Sequence, residues 1–504
     1  MKRIISFIIG FSIVGLLGGK SVMAQNFDLT KNTSSFSVDT MPIVLRQTTD
    51  TGLESSNIVA FELTAFGGVN LADKAGTLTL MTNLLKKGTY SYSKEQIDGL
   101  LTKTGADLSI NAGYDSVNIT LKCLKRFLPE LLPLVSEMIR VPKFDENEIK
   151  LSKAQLTARL KSEQASADPL LGLKMEQIFY KNHPYYRRPT GYLDTIAGIT
   201  REDLATSLFK TFNKNNVLFI LAGDIGKDEV SNMIQKYFSA LQAGVRSTDV
   251  RQPLQNEHKE IHYYSFAAPT TYFMAKFKAP SLDSQDYPTL LLATQILDNR
   301  LFEEIRTKRA LTYSVSASLR NYRVNSGTLY VTSTQLPKAV EIMFEEVKKM
   351  QVAPVSTDDL ETQVNKYLSS WYLSRETKMS QADIFSLYET LGLGWENSNS
   401  FIDRLNKVTP DQVMKAAQEY YKDFSFVVVG PQAVNLRPEL TKLGFLPFSP
   451  QKLAAPKRTM PAASVKSSTK KRPHIAKPKK KKTRKQKTLK KPSAVKTPDQ
   501  KKSK

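Results

Sequence analysis

Apolar residues recur at every second position in two stretches of the chain. Val59, Phe61, Leu63 and Ala65 are separated by Ala60, Glu62 and Thr64, and Phe273, Ala275, Phe277 and Ala279 are separated by Met274, Lys276 and Lys278. A period of two predicts a β-strand in each place. Helical spacing follows both: Leu128-Pro129 opens a pattern through Leu132, Val135 and Met138, and Leu336-Pro337 opens one through Val340, Phe344 and Val347. Proline suits the first turn of a helix, where its missing N–H would be unpaired in any residue. Farther on, Ile199-Thr200-Arg201-Glu202-Asp203-Leu204 and Val408-Thr409-Pro410-Asp411-Gln412-Val413 each place a threonine at an N-cap with acids in the first turn. Both run on into a buried strand ending in glycine, Val217-Leu218-Phe219-Ile220-Leu221-Ala222-Gly223 and Phe426-Val427-Val428-Val429-Gly430.

Four pairs of segments in the same order, about 210 residues apart, are too widely spaced for a solenoid and predict a duplicated domain. The expected fold is α+β, with two similar α/β domains at 27–240 and 258–448. Between them, residues 241–257 hold Ala243-Gly244, Arg246-Ser247-Thr248 and Arg251-Gln252-Pro253 without a sustained period, as a linker would. A 504-residue chain with 41% apolar residues can bury two such cores.

Charge changes the picture only at one end. The chain carries +24, but residues 456–504 contain twenty Lys or Arg against the single acid Asp499, so +19 of the total lies there and the body is near neutral. Residues 449–504 lack apolar periodicity and are expected to be a disordered basic tail. At the other end, Met1-Lys2-Arg3 precede an apolar run from Ile4 to Leu17, followed by Val22-Met23-Ala24. This reads as a signal peptide at 1–24, since about 14 apolar residues fall short of the roughly 20 of a bilayer span. Export to the periplasm or cell envelope is the expectation. The cluster Lys477-Pro478-Lys479-Lys480-Lys481-Lys482-Thr483-Arg484-Lys485 would then meet anionic envelope polymers or a membrane surface. No aromatic lies among these lysines to stack on a base, so specific nucleic-acid binding is not expected. Cys123, the one cysteine, cannot form an intrachain disulfide.

Local phrases spread over residues 40–435 resemble the insulinase and pitrilysin family of zinc peptidases, in its processing-peptidase branch. They are Lys87-Gly88-Thr89, Gly105-Ala106, His183-Pro184-Tyr185, Gly191-Tyr192 and Ala222-Gly223-Asp224 in the first half, and Arg300-Leu301-Phe302, Arg306 and Leu311-Thr312-Tyr313-Ser314 in the second. In active members the resemblance implies His-x-x-Glu-His on the helix before the Gly-Thr. Imidazoles at i and i+4 share a helix face and grip one zinc, and the Glu serves as general base for the bound water. Counted back from Gly88-Thr89, the ligand positions are Thr79 and Asn83 and the base position is Thr82. Hydroxyls and an amide are poor zinc ligands, and threonine has no pKa suited to proton transfer. The position of the third family ligand, a Glu, falls on Lys161 or, with a small gap, on Glu163. No cofactor is therefore expected on this chain.

The histidines offer no obvious replacement. His258 and His262 stand four apart, but on the extended segment expected there they are roughly 13 Å apart, too far to share a metal. His183 fits a packed or capping role, and His474 belongs to the tail. Arg306 and Tyr313 occupy positions resembling the Arg and Tyr that family members place over the scissile peptide, where guanidinium and phenol donors can stabilise an oxyanion. The resemblance thus implies a non-catalytic, peptide-binding subunit that completes the active site of a zinc-bearing homologous partner. The zinc-less mitochondrial subunit has a glycine-rich loop that Gln295-Ile296-Leu297-Asp298-Asn299 lacks, so the bacterial paired peptidases are the nearer comparison. Two other readings stand beside it: a scaffold without any peptidase role, and an envelope-binding protein acting through its tail.

Overall fold

The structure, a computed structural model, describes residues 28–48, 57–247, 254, 261–431 and 433–442. The expected signal peptide, the basic tail, His258 and His474 lie outside the described residues.

Each half is built on one mixed sheet. In the first, β1 (Thr33–Val38), β2 (Met41–Gln47), β3 (Ile58–Phe66), β4 (Asp107–Ala112), β5 (Ser116–Leu124) and β6 (Val217–Gly223) lie in the order β1-β2-β6-β3-β5-β4. In the second, β7 (Ile261–Ser265), β8 (Thr271–Lys278), β9 (Val315–Leu319), β10 (Ser326–Ser333) and β11 (Ser425–Gly430) lie in the order β7-β11-β8-β10-β9. β2 with β6 and β7 with β11 are parallel, and every other neighbouring pair is antiparallel. Setting β1 aside, the two orders are the same, so the repeat read from the sequence is a repeat of sheet topology.

The helices start where the sequence signals them. Thr200 caps Arg201–Thr211 and Thr409 caps Pro410–Tyr420, each as a capping box, with Asp203 and Gln412 reaching back to the cap N–H at 2.6 and 2.9 Å. Leu128–Arg140 and Leu336–Val352 carry their proline in the first turn and bury Leu132, Val135, Met138 and Val340, Phe344, Val347. On one face of each sheet these helices enclose a core, formed by Phe61, Leu63, Ile119 and Phe219 in the first half and Phe273, Phe277, Leu329 and Phe426 in the second.

The opposite face of each sheet is covered by the other half. Helix Lys378–Leu391 lays Phe385, with Trp371 and Trp395 beside it, over Val44, Ala60, Leu218 and Ile220. Helix Ala167–Phe179 lays Leu171, Met175 and Phe179 over Met274, Val427 and Val429. Each half lends a helix to its neighbour, and the halves form one compact unit. The polar positions of the two alternating strands are consequently not at a solvent face: Glu62 is 1% exposed and Lys276 2%. From Leu241 to Ser247 the linker returns over the first half, with Ser247 N–H donating to Asn216 Oδ1 at 2.8 Å.

Candidate functional site

Helix Thr77–Leu85 is fixed by Leu78, Leu80, Met81, Leu84 and Leu85, all buried. The segment after Tyr186 folds back onto its first turn. Gly191, at φ +73, approaches so closely that a Cβ there would stand 2.8 Å from Gly76 Cα, which is why the turn needs glycine. This contact delivers the carbonyl of Pro189 to Thr79, whose Oγ1 donates to it at 2.6 Å. Thr82 is buried and donates to Thr79 O at 3.1 Å, while Asn83 is exposed. Both hydroxyls are therefore spent on backbone carbonyls.

Lys161 and Glu163 lie near the end of helix Glu146–Gln164, Lys161 exposed and Glu163 partly buried. Glu163 is gripped by Arg188 through two parallel bonds, Nη1 to Oε2 at 3.0 Å and Nη2 to Oε1 at 2.7 Å. Arg188 Nε lies 4.0 Å from Glu176 Oε2; Glu176 Oε1 lies 3.7 Å from Arg320 Nη2 of the second half; and Arg320 Nη1 donates to Tyr322 Oη at 3.0 Å. Burial alone would lower the pKa of Arg188, but the bond to Glu163 and the charges of Glu163 and Glu176 outweigh it, and the net shift is upward. Thr79 and Glu163 thus meet through the Arg188-Pro189 segment. Among the described residues no group of three or more His, Cys, Asp or Glu is arranged to hold a metal. A donor set of two engaged hydroxyls, an exposed amide and a carboxylate already neutralised by a guanidinium does not fit zinc.

In the second half, helix Tyr287–Leu301 runs into a π-helical turn, Phe302–Thr307. Ile305 is buried and anchors the turn, so Arg306 projects outward. Its guanidinium lies 4.7 Å from the ring centroid of Phe302 and 5.1 Å from that of Tyr313. Tyr313 is 83% exposed. Three neighbouring charges pair among themselves: Glu304 takes Lys308 at 2.7 Å and Arg309 at 2.5 Å, and these two bonds hold its carboxyl down to about 2. Arg306 has no carboxylate partner among the described residues, so its N–H donors face outward beside the Tyr313 phenol.

The family model described as Insulinase (Peptidase family M16) matches residues 70–190, and the one described as Peptidase M16 inactive domain matches residues 198–367. The chain belongs to the insulinase family, peptidase family M16. Its relatives include a Helicobacter pylori protein named non-peptidase homolog YmxG, 25% identical over 72% of this chain and 87% of that one. A zinc protease of the same organism, PqqE, is 21% identical over 82% of this chain and 97% of that one. Among solved structures, a peptidase M16 inactive domain from Pseudomonas fluorescens superposes with a TM-score of 0.74 at 18% identity, covering 80% of this chain and 98% of that one. The periplasmic protease PqqL from Escherichia coli gives 0.66 at 13% identity, covering 84% and 51%. These last two share the fold.

The two histidines among the described residues lie at a turn and on a strand. His183 is 6% exposed and its Nδ1 accepts from Tyr185 N–H at 3.1 Å, capping a short turn. His262 lies on β7, in register with Val427 of β11. Two features escaped the sequence reading. One is Arg188, whose pairing with Glu163 spans 25 residues without a motif. The other is Glu62, which meets Asp383 of the lent helix Lys378–Leu391 at a cavity of about 210 Å³. Its Oε1 accepts from Asn118 Nδ2 at 2.5 Å, and burial, then the Asp383 carboxylate, pushes Glu62 up to about 7.

Proposed function

We propose that this M16 chain is a non-catalytic, peptide-binding subunit of a heteromeric zinc metallopeptidase, exported to the periplasm or cell envelope, whose partner carries the His-x-x-Glu-His helix and the zinc. The observation that carries this reading is the contrast between a first-half helix whose hydroxyls are bonded internally and a second-half guanidinium–phenol pair whose donors point outward. A carbonyl becoming an oxyanion needs such donors, placed before the reaction begins. The stacking of Arg306 between Phe302 and Tyr313 supplies the placement. With threonines and an asparagine at positions 79, 82 and 83 in place of two imidazoles and a carboxylate, helix Thr77–Leu85 has no means of activating water in the way of the family's zinc peptidases. The relatives point both ways in their names, to a non-peptidase homolog and to a zinc protease, as expected for a family that divides the work. The lysine-rich C-terminal segment adds an electrostatic contact with anionic envelope polymers or lipid headgroups that salt would weaken.

Mixing the chain with a homologue bearing His-x-x-Glu-His should yield a complex that cleaves peptides. In that complex, R306A or Y313F should lower kcat by about 10²–10³, the loss typical of removing one oxyanion donor. A complex fully active with both residues replaced would instead support a scaffold role.

A further inference from the structure

We propose that Arg188 is a built-in cation that takes the place of the metal beside helix Thr77–Leu85, so that restoring the family's ligands to that helix would not by itself restore zinc binding. The inference rests on reading Thr79, Thr82 and Asn83 as the former ligand and base positions. Three contacts converge on one dipeptide. The Arg188 guanidinium binds both oxygens of Glu163, at 3.0 and 2.7 Å. It lies 4.0 Å from the carboxylate of Glu176. The next carbonyl, that of Pro189, receives the hydroxyl of Thr79 at 2.6 Å. Two partly buried carboxylates are thus gathered around a single positive group, as they would be around a divalent ion, and the residue next to it in the chain holds the first ligand position.

Electrostatics makes the group hard to dispense with. The side chains of Glu163 and Glu176 are 20% and 18% exposed, and carboxylates so placed without a counter-charge would be costly. A guanidinium satisfies two oxygens of one carboxylate with matched geometry, which an ammonium could not. The arginine is also braced from behind. Tyr192 stacks near it at 5.9 Å and donates to Tyr186 O at 2.6 Å, and the Gly76–Gly191 approach fixes the segment against the helix. Glu176 continues the alternation of charge to Arg320 at 3.7 Å, so the fixed cation is tied across the seam to the second half. A metal ion arriving at this place would meet a positive charge that has nowhere else to go.

The test uses the full chain, freed of metal with a chelator and titrated calorimetrically with zinc chloride. The variant T79H/T82E/N83H should show no stoichiometric site. The same variant carrying R188A should bind one zinc, at least about tenfold tighter, because a like charge beside the ion is removed. Thermal unfolding with and without zinc checks that each variant is folded, and zinc should raise the melting temperature only where Arg188 is gone. R188Q, which keeps a hydrogen-bond donor without the charge, replaces R188A if the latter does not fold. Equal zinc affinity with and without Arg188 would overturn the proposal. So would a folded variant lacking the Arg188 charge and carrying both histidines that still bound no zinc. Because zinc is measured on the isolated chain, either result is separate from success or failure of the partner reading.

Discussion

In strands that correspond in the two sheets, β3 buries Glu62 and β8 buries Lys276. Each faces the helix lent by the other half, but the surroundings differ. Glu62 meets Asp383 and Asn118, with Ser386 nearby, whereas the Lys276 ammonium lies 5.3 Å from the ring centroids of both Phe179 and Tyr180, with the charges of Arg320 and Glu176 acting on it. The apolar frame of the two halves is the same and the polar groups set into it are not. The two candidate sites repeat the lesson. In helix Thr77–Leu85 the hydroxyls of Thr79 and Thr82 are spent within the chain, and at Arg306 and Tyr313 donors are left over. Burial constrains the first kind of position through volume and leaves the second free to diverge or to serve a ligand.

The largest effect should come from the shared frame. Phe385→Ala and Phe179→Ala each remove a fully buried ring from a lent helix and should cost about 3–5 kcal/mol in denaturant unfolding. If one cost under about 1 kcal/mol, the exchange would not be the symmetrical device described above.

The polar pair separates the halves by pH. Burial, then Asp383, raises Glu62 from its ordinary 4.5 to about 7. Between those values the folded chain holds a proton that the unfolded chain has lost, so this contribution is complete below about 4.5 and lost as pH rises through about 7. Burial, then Arg320, lowers Lys276 from 10.5 to about 7 against the opposing pull of Glu176. Here the unfolded chain holds the extra proton, so the contribution is complete above about 10.5 and lost as pH falls through about 7. Each slope should amount to about 3–5 kcal/mol in total. In melting curves taken across pH, E62Q should flatten the fall between pH 5 and 7, and K276M the rise between 7 and 10. An unchanged slope in E62Q would mean that Glu62 titrates normally. Smallest of all, Asn83→Ala on the exposed face of its helix should change stability by less than about 0.5 kcal/mol.

Much of the fold was legible because its signals are local. Thr200 and Thr409 with their acids, the prolines of the first turns and the buried strands before Gly223 and Gly430 all act within a few residues. The alternation in β3 and β8 located the strands but did not say what would cover their second face. The lent helices cover that face, and a strand does not encode what will be laid over it by a segment so distant in the chain. At the site, Arg306 and Tyr313 stand seven apart and could be found by phrase, and the structure brings them into contact. The bond between Arg188 and Glu163 could not, because an arginine in a loop and a glutamate at a helix end carry no spacing rule.

The central claim is that chemistry on peptides needs a second, zinc-bearing chain. Zinc content and peptide cleavage, measured on the purified chain and then on its mixture with a His-x-x-Glu-His homologue, test it most directly. Neither stoichiometric zinc nor cleavage is expected from the chain alone, and cleavage dependent on Arg306 and Tyr313 is expected once the partner is added. One tightly held zinc in the first half together with unaided peptide hydrolysis would contradict it.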